Sequence, residues 1–485
     1  MINKLYKLYE DTFLENKDKA GLVIVDKEYK YSVLHEMVNE WADAFTDLGI
    51  KKSDRVMIST DDRLYFIISW IALWKIEAIP IPIEPVSSSH EIIRAIESGH
   101  PNWVISENPT HLKGMPSDFK KMDFMLKDDW IVGCITSSEE WKSMDNSAFY
   151  CYTSGTTGTP KCVMYDLEAA YAIIDSLIDA FKLSNKDVFM TPLPSSLPSV
   201  IFTAFLPSLA SGATLVVLDE PIPTRALKVM KQQEPTVFFA VPYFYRLLID
   251  CMKVRNEQKF NRLRLCVATS AYLDEKTFTD FYELTGVAIR SIFCSSEAFY
   301  CTYNPYDDIG KLRHTVGIPL KGVQMRIADA NDNIVEPMVE GEIQISGTHK
   351  SSGYFYRKEL EEKVYKNGWV HTGDMGYIDS EGYLCITGRL SDTVNVGGYL
   401  VNPLEVESVI NSFEGVNESM IVGQRDDEVG EIVVAKVVVK DNKHVDKAEL
   451  IKHCKSHLLP FKVPNRIEFI EELPKSRYGK IRRLS

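Results

Sequence analysis

From residue 20 to about residue 385 the chain alternates short β-rich runs with longer amphipathic segments, and this alternation restricts the fold more than any other feature. The runs VMIST at 56, WVIS at 103, ATLVVLD at 213, TVFFAV at 236 and LRLCVAT at 263 are nearly continuous in apolar residues. Their alternation with amphipathic segments predicts an α/β architecture with mainly parallel sheets, whose ligands gather at the loops that follow strands. At 485 residues the chain is too long for one small module. The most apolar stretch, Leu64 to Trp74, is flanked by Arg63 and Lys75. It falls well short of the ~20 residues a membrane span needs, which predicts a buried helix. PIPIEPVSSSH (80 to 90) and PLPSSLPSV (192 to 200) read as ordered loops.

Charge excludes some partners. Lys and Arg number 55 against 68 Asp and Glu, a net charge of −13. Such a surface has no general attraction for nucleic-acid phosphates or anionic lipid, so neither nucleic acid nor membrane is expected as a partner. The nine cysteines are scattered and form no Cys-x-x-Cys pair. Reduced thiols in the cytoplasm are therefore expected, not disulfides or a zinc site. The N-terminal MINKLYKLYEDTFLENKDK mixes charge with apolar residues and lacks the apolar core of a secretion signal.

A compositional boundary lies near residue 389. Beyond it come a predicted helix PLEVESVINSF, strands SMIVGQ and EIVVAKVVVK, a helix DKAELIKHCKSHL and a basic tail, PKSRYGKIRR. The segment after Arg389 holds 14 Lys/Arg and 15 Asp/Glu, a net of −1, which leaves −12 on residues 1 to 389. We expect a large acidic domain over 1–388 and a small α+β domain over 389–485.

The densest local signal is the run Tyr152 to Lys161, YTSGTTGTPK. Backbone amides, hydroxyls and an ammonium in so short a loop suit phosphate oxygens. A Walker A loop would place Gly-Lys-Ser/Thr at a helix start, but here Pro160 precedes Lys161 and Cys162 follows it, which disfavours a P-loop kinase or ATPase.

This run resembles the phosphate loop of the adenylate-forming superfamily, which includes acyl- and aryl-CoA synthetases, luciferases and peptide-synthetase adenylation domains. Further matches follow in order: FCSSE at 293 to 297, HTGD at 371 to 374, GRLSDTVNVGGYLVNPLEVE at 388 to 407 and the closing PKSRYGKIRR. The resemblance implies a large N-terminal domain of parallel-rich sheets with a distorted β-barrel subdomain, and a small mobile C-terminal domain. It implies activation of a carboxylic acid by ATP to an acyl-AMP, with release of pyrophosphate, and then transfer to a pantetheine thiol.

By the same resemblance Lys480 is the catalytic lysine. Thr153, Ser154, Gly155, Thr156, Thr157, Gly158 and Lys161 bind phosphates, Glu297 binds Mg²⁺, and Ser270, Ala271, Tyr272, Phe293, Cys294, Ser295 and Ser296 surround the nucleotide. Asp374 accepts the ribose hydroxyls, with Arg389 beside it. Ser391 is the hinge, and Gly398 lets the pantetheine arm pass. The sequence departs from the pattern at Cys294 and Ser270, where Gly is usual, and at Ser391, where Asp or Lys is usual.

Amino-acid-activating members carry an Asp that pairs the substrate ammonium; counting back from Gly212, Ser199 stands there. A buried ammonium without a carboxylate partner is costly, so an acid without an α-amine is expected. The stretches at 235 to 242, 263 to 267 and 399 to 407 resemble the benzoate-CoA ligase branch, suggesting an aryl or other compact acid. Ser199, Phe239 and Tyr243 are the candidate pocket walls. Coenzyme A is the leading acceptor and the phosphopantetheine of an acyl or peptidyl carrier protein the alternative. A protein that keeps the fold without the chemistry is a third reading, opposed by the retention of Lys161, Glu297, Asp374, Arg389 and Lys480.

Overall fold

The computed structural model describes residues 4–127, 129–136, 141–153, 160–256, 259–396, 399–426, 430–441, 443–475, 481 and 483. They divide into two compact units, one of residues 1–324 and 345–370, the other of residues 325–344 and 371–485.

In the first unit, a seven-stranded sheet has the spatial order Ile289–Ser291, Leu265–Ala268, Val237–Ala240, Val188–Thr191, Thr214–Val217, Ala20–Ile24, Lys27–Lys30. All neighbours are parallel except the last pair. A five-stranded sheet runs Ile79–Pro82, Arg55–Ser59, Trp103–Ser106, Ile131–Ile135, Phe119–Met122, parallel over its first three strands. The five β-rich runs of the sequence are all strands here, four of them buried at every residue and Thr214–Val217 likewise. The apolar stretch 64–74 is the buried helix Arg63–Lys75, whose Asp62 cap accepts hydrogen bonds from the Leu64 and Tyr65 amides. No described helix is long and apolar enough to cross a membrane.

The loop expected at 192 to 200 is shorter than its sequence suggests. A helix opens at Pro198, and its second stretch, Ile201–Phe205, is wound as a π-helix before Leu206–Ala210 resumes the α form. Proline suits a first helical position, and all five π-helical residues are buried.

The second unit carries the expected small α+β architecture. Strands Tyr399–Val401, Val394–Val396, Gly430–Val439 and Val416–Asp426 lie side by side in that order, with Arg466–Phe469 parallel to the third. Helices Pro403–Asn411 and Lys447–His457 cover it through a core that includes Val401, Val406, Ile410, Ile421, Ala435 and Leu450.

Candidate active site

Four adjacent parallel strands of the seven-stranded sheet deliver most of the first unit's candidates from one end. Ile289–Ser291 leads to Phe293–Glu297, Leu265–Ala268 to Ser270–Tyr272, Val237–Ala240 to Tyr243, and Val188–Thr191 to the segment with Ser199. These are carboxyl ends of neighbouring strands, where open α/β sheets bind ligands.

The candidate phosphate loop springs from a hairpin. Ser147–Tyr152 pairs antiparallel with Cys162–Asp166, Tyr152 opposite Cys162, and the Thr153 amide donates to the Lys161 carbonyl at 3.0 Å. The two ends of the loop are thereby held together. The Thr153 hydroxyl is buried and has no hydrogen-bond partner among the described residues, as a group awaiting a ligand would be. Ser154, Gly155, Thr156, Thr157 and Gly158 lie outside the described residues.

Glu297 sits at the tip of a second hairpin, in which Cys294 faces Tyr300 and Ser295 faces Phe299. Three interactions fix that tip: the Ala298 amide donates to Ser295 Oγ at 3.0 Å, Tyr165 Oη to the Ser296 carbonyl at 2.8 Å, and Ser351 Oγ to the Glu297 carbonyl at 2.7 Å. Tyr354 Oη donates to Glu297 Oε1 at 2.6 Å, while the Lys161 ammonium lies 5.2 Å from the centre of the Tyr354 ring. Burial, reinforced by the Glu297 charge, pushes the Tyr354 hydroxyl well above its usual pKa, so it stays a donor. One tyrosine thus touches both Lys161, the cation of the candidate phosphate loop, and Glu297, the candidate metal ligand.

Phe293 is buried and donates its amide to Thr302 Oγ1 at 3.2 Å. The Cys294 thiol lies 3.2 Å from Thr269 Oγ1, bringing the ends of the two strands together at the side chain that replaces the expected glycine. Ser270 has φ of 71°, a left-handed backbone that explains why glycine is usual there and that serine adopts under strain. Ser296 and Tyr272 are exposed and Ala271 also faces solvent. The Ser199 carbonyl accepts from Tyr300 Oη at 2.7 Å, and that hydroxyl also meets Thr203 of the π-helical turn. Phe239 is wholly buried in its strand, whereas Tyr243 is half-buried on the first turn of helix Pro242–Arg255.

In the second unit, Asp374 and Arg389 face each other across the antiparallel strands Trp369–Ile378 and Leu384–Arg389, with Arg389 Nε 2.7 Å from Asp374 Oδ1. Asp374 is only 6% exposed. Its turn is held by Glu342, which accepts from the Gly373 amide at 3.1 Å and contacts His371 Nδ1 at 2.7 Å. Ser391 is exposed on the single 3₁₀ turn Leu390–Asp392. Gly398 and Lys480 lie outside the described residues.

Sequence reasoning missed Tyr354, Tyr300, Tyr165, Ser351 and Glu342. Each acts through a contact distant in sequence, and no local motif marks any of them. A Mg²⁺ ion bound to nucleotide needs one or two protein carboxylates, with phosphate and water oxygens completing its shell. Glu297 fits that demand: it is a partly exposed carboxylate oriented through one oxygen by Tyr354. Among the described residues no cluster of three or more His, Cys, Asp or Glu forms a protein-only cage.

The chain is 26% identical over 498 residues to the oxalate–CoA ligase of Arabidopsis thaliana, covering 98% of this chain and 96% of that one. It is 25% identical over 472 residues to the 2-succinylbenzoate–CoA ligase of Bacillus cereus, covering 96% and 95%. The crystal structure of ATP-bound MatB from Rhodopseudomonas palustris superposes with a TM-score of 0.87 at 24% identity, covering 99% and 97%. Residues 10–355 match the AMP-binding enzyme family and residues 405–480 its C-terminal domain, so the chain belongs to the AMP-binding, adenylate-forming enzymes.

Proposed function

We propose that this enzyme joins a carboxylic acid to AMP and passes the acyl group to the thiol of coenzyme A. The observation that carries the reading is the Lys161–Tyr354–Glu297 set beside the carboxyl ends of four parallel strands. The names of the similar CoA ligases support it. A carboxylate oxygen attacks the α-phosphorus of ATP, and the bond to the bridging oxygen breaks as its electrons leave with pyrophosphate. Negative charge gathers on the phosphate oxygens in that transition state, and cations placed there lower the barrier. Lys161 and the Thr153 hydroxyl would hold phosphate oxygens, and Lys480 would meet the developing charge. Glu297 would hold Mg²⁺, which supplies charge neutralisation when bound. Asp374 would accept the ribose hydroxyls. In the second step the thiolate sulfur attacks the acyl carbon, the carbon–oxygen bond to AMP breaks, and AMP departs.

The domains would be 1–388, with the nucleotide and acyl sites, and 389–485, with Lys480, turning about Ser391; the exposure of Ser391 on a one-turn helix between strands suits a hinge. Ser199, in place of a carboxylate, favours an acid without an α-amine, and the stretches at 235 to 242, 263 to 267 and 399 to 407 that resemble the benzoate-CoA ligase branch favour an aryl or other compact one. The nine free cysteines suit a reducing cytoplasm.

The test is carboxylate-dependent ATP–pyrophosphate exchange across benzoates, hydroxybenzoates, short and medium fatty acids, dicarboxylic acids and α-amino acids, with CoA then added. Exchange with a compact acid and a CoA thioester product is expected. Exchange without thioester would move the acceptor to a carrier protein. Exchange only with an α-amino acid would overturn the inference from Ser199.

A further inference from the structure

Helix Pro242–Arg255 begins where strand Val237–Ala240 ends, with Leu265–Ala268 on one side of that strand and Val188–Thr191 on the other. Its inward face, Phe244, Tyr245, Leu248, Ile249 and Met252, is buried. Tyr243, Arg246 and Leu247 lie on the opposite face and are partly buried. Helical side chains lean towards the N-terminus, so the Arg246 guanidinium reaches back over Tyr243, whose ring centre lies 5.8 Å from its Cζ. That is the carboxyl end of the strand, where the candidate acyl site is.

Arg246 differs from the buried arginines elsewhere in the unit. Arg55 donates to the His100 carbonyl at 2.8 Å, Arg63 to the Leu218 carbonyl at 3.2 Å and Arg290 to the Asn304 carbonyl at 2.6 Å. Arg246 Nε is buried without a hydrogen-bond partner, and no carboxylate among the described residues pairs with its guanidinium. Asp250, one turn along the same face, is exposed and makes no ion pair with it. Drawing a cationic donor out of water without a partner is costly, and an anion arriving with the ligand removes that cost. The helix end points the same way. Its first turn holds no Asp or Glu and Val241 supplies no side-chain cap, so the positive end of the helix dipole lacks an anionic side chain.

We propose that Arg246 binds a second carboxylate of the acid substrate, the one that is not activated, which makes the substrates of this enzyme dicarboxylic acids. This rests on the adenylation chemistry of the proposed function and on Tyr243 as a wall of the acyl site. A guanidinium meets a carboxylate through two parallel N–H···O bonds, which fix its direction as well as its distance. A monocarboxylic acid of the same size leaves the arginine desolvated and unpaired, and a site with an unpaired polar group rejects the analogue that lacks its partner.

The test measures pyrophosphate exchange with matched acids: succinate and butyrate, glutarate and pentanoate, adipate and hexanoate, terephthalate and 4-methylbenzoate. For at least one pair, wild type is expected to show a kcat/KM about ten- to a hundredfold higher for the diacid, the range a hydrogen bond to a charged group supports. In Arg246→Met the diacid-to-monoacid ratio should fall at least tenfold, and Arg246→Lys, which keeps the charge without the fork, should lie between. The wild-type ratios need no variant to fold. Wild-type preference for the monoacid in every pair would overturn the inference, as would an equal fall for both members of a pair in Arg246→Met. A raised KM for CoA in Arg246→Met with unchanged acid selectivity would also overturn it, placing a CoA phosphate on the arginine. Exchange with monoacids alone defeats only this inference, whereas no exchange with any acid of a wider panel defeats the proposed function and this inference with it.

Discussion

Asp187 of the first unit and Glu407 of the second are both buried carboxylates paired with an arginine, and their surroundings act on them in opposite directions. In the first unit Asp187 accepts from Arg264 Nε at 3.0 Å, Thr236 Oγ1 at 2.7 Å and the Ser184 amide at 3.0 Å. Burial pushes its pKa up, but the hydrogen bonds from Arg264 and Thr236 outweigh it and the net shift is down. In the second unit Glu407 is held up by burial, the largest influence, and the opposing Arg483 charge and Ile421 amide do not reverse it. Asp187 is thus a favourable anchor at the start of a central strand of the parallel sheet, Val188–Thr191. Burial on balance disfavours the charged form of Glu407, whereas the hydrogen bonds to Asp187 on balance favour its charged form.

Four predictions bear on that contrast. The largest effect is expected for Lys480→Ala, which should lower the exchange rate by about 10²- to 10³-fold, the range seen when a group serving transition-state charge is removed. Next, Tyr354→Phe deletes the hydrogen bond to Glu297 and should lower kcat/KM for adenylation by about ten- to a hundredfold, since a bond to a charged group is worth about 1.5–3 kcal/mol. Unchanged kinetics would show that Glu297 needs no orientation.

Stability gives the third. Asp187→Asn should lower the unfolding free energy of the first unit by about 1–3 kcal/mol, measured in urea. The sign of the pH dependence follows from the shifts. Because the Asp187 pKa is depressed on folding, its contribution is complete above the ordinary 3.8 and is lost as pH falls through the lower folded value. Glu407 behaves oppositely. Its folded pKa lies above the ordinary 4.5, so the folded unit binds the extra proton and loses stability as pH rises from 4.5 through that value. Glu407→Gln should abolish the loss, and Asp187→Asn the gain, in denaturation series from pH 3 to 7. The smallest effect is Ser270→Gly, which removes the side chain from a left-handed position and should stabilise the first unit by up to about 1 kcal/mol in thermal melts.

Much of this molecule is legible in its sequence because much of it is locally determined. Strands buried on both faces, such as Arg55–Ser59 and Leu265–Ala268, announce themselves as continuous apolar runs, and helix Arg63–Lys75 by its length and charged flanks. The second unit's elements follow the predicted order from Pro403 to His457. Contacts between distant segments are another matter. Tyr354 and Glu297 are 57 residues apart, and Tyr300 and Ser199 are 101 apart, so no window of sequence contains both partners. The π-helical turn at Ile201–Phe205 is equally hidden, since its five buried residues would suit an ordinary α-helix. Ser270 marks a middle case: its departure from glycine is visible in the sequence, but only the backbone shows what glycine would relieve.

The most direct test of the chemistry follows one oxygen atom. An acid accepted by the enzyme, labelled with ¹⁸O in its carboxylate, would be turned over with ATP and CoA, and the nucleotide product examined by mass spectrometry. Attack on the α-phosphorus and release of AMP from the acyl carbon predict AMP that carries one labelled oxygen, with unlabelled pyrophosphate. Label in inorganic phosphate, with ADP as the nucleotide product, would contradict the account.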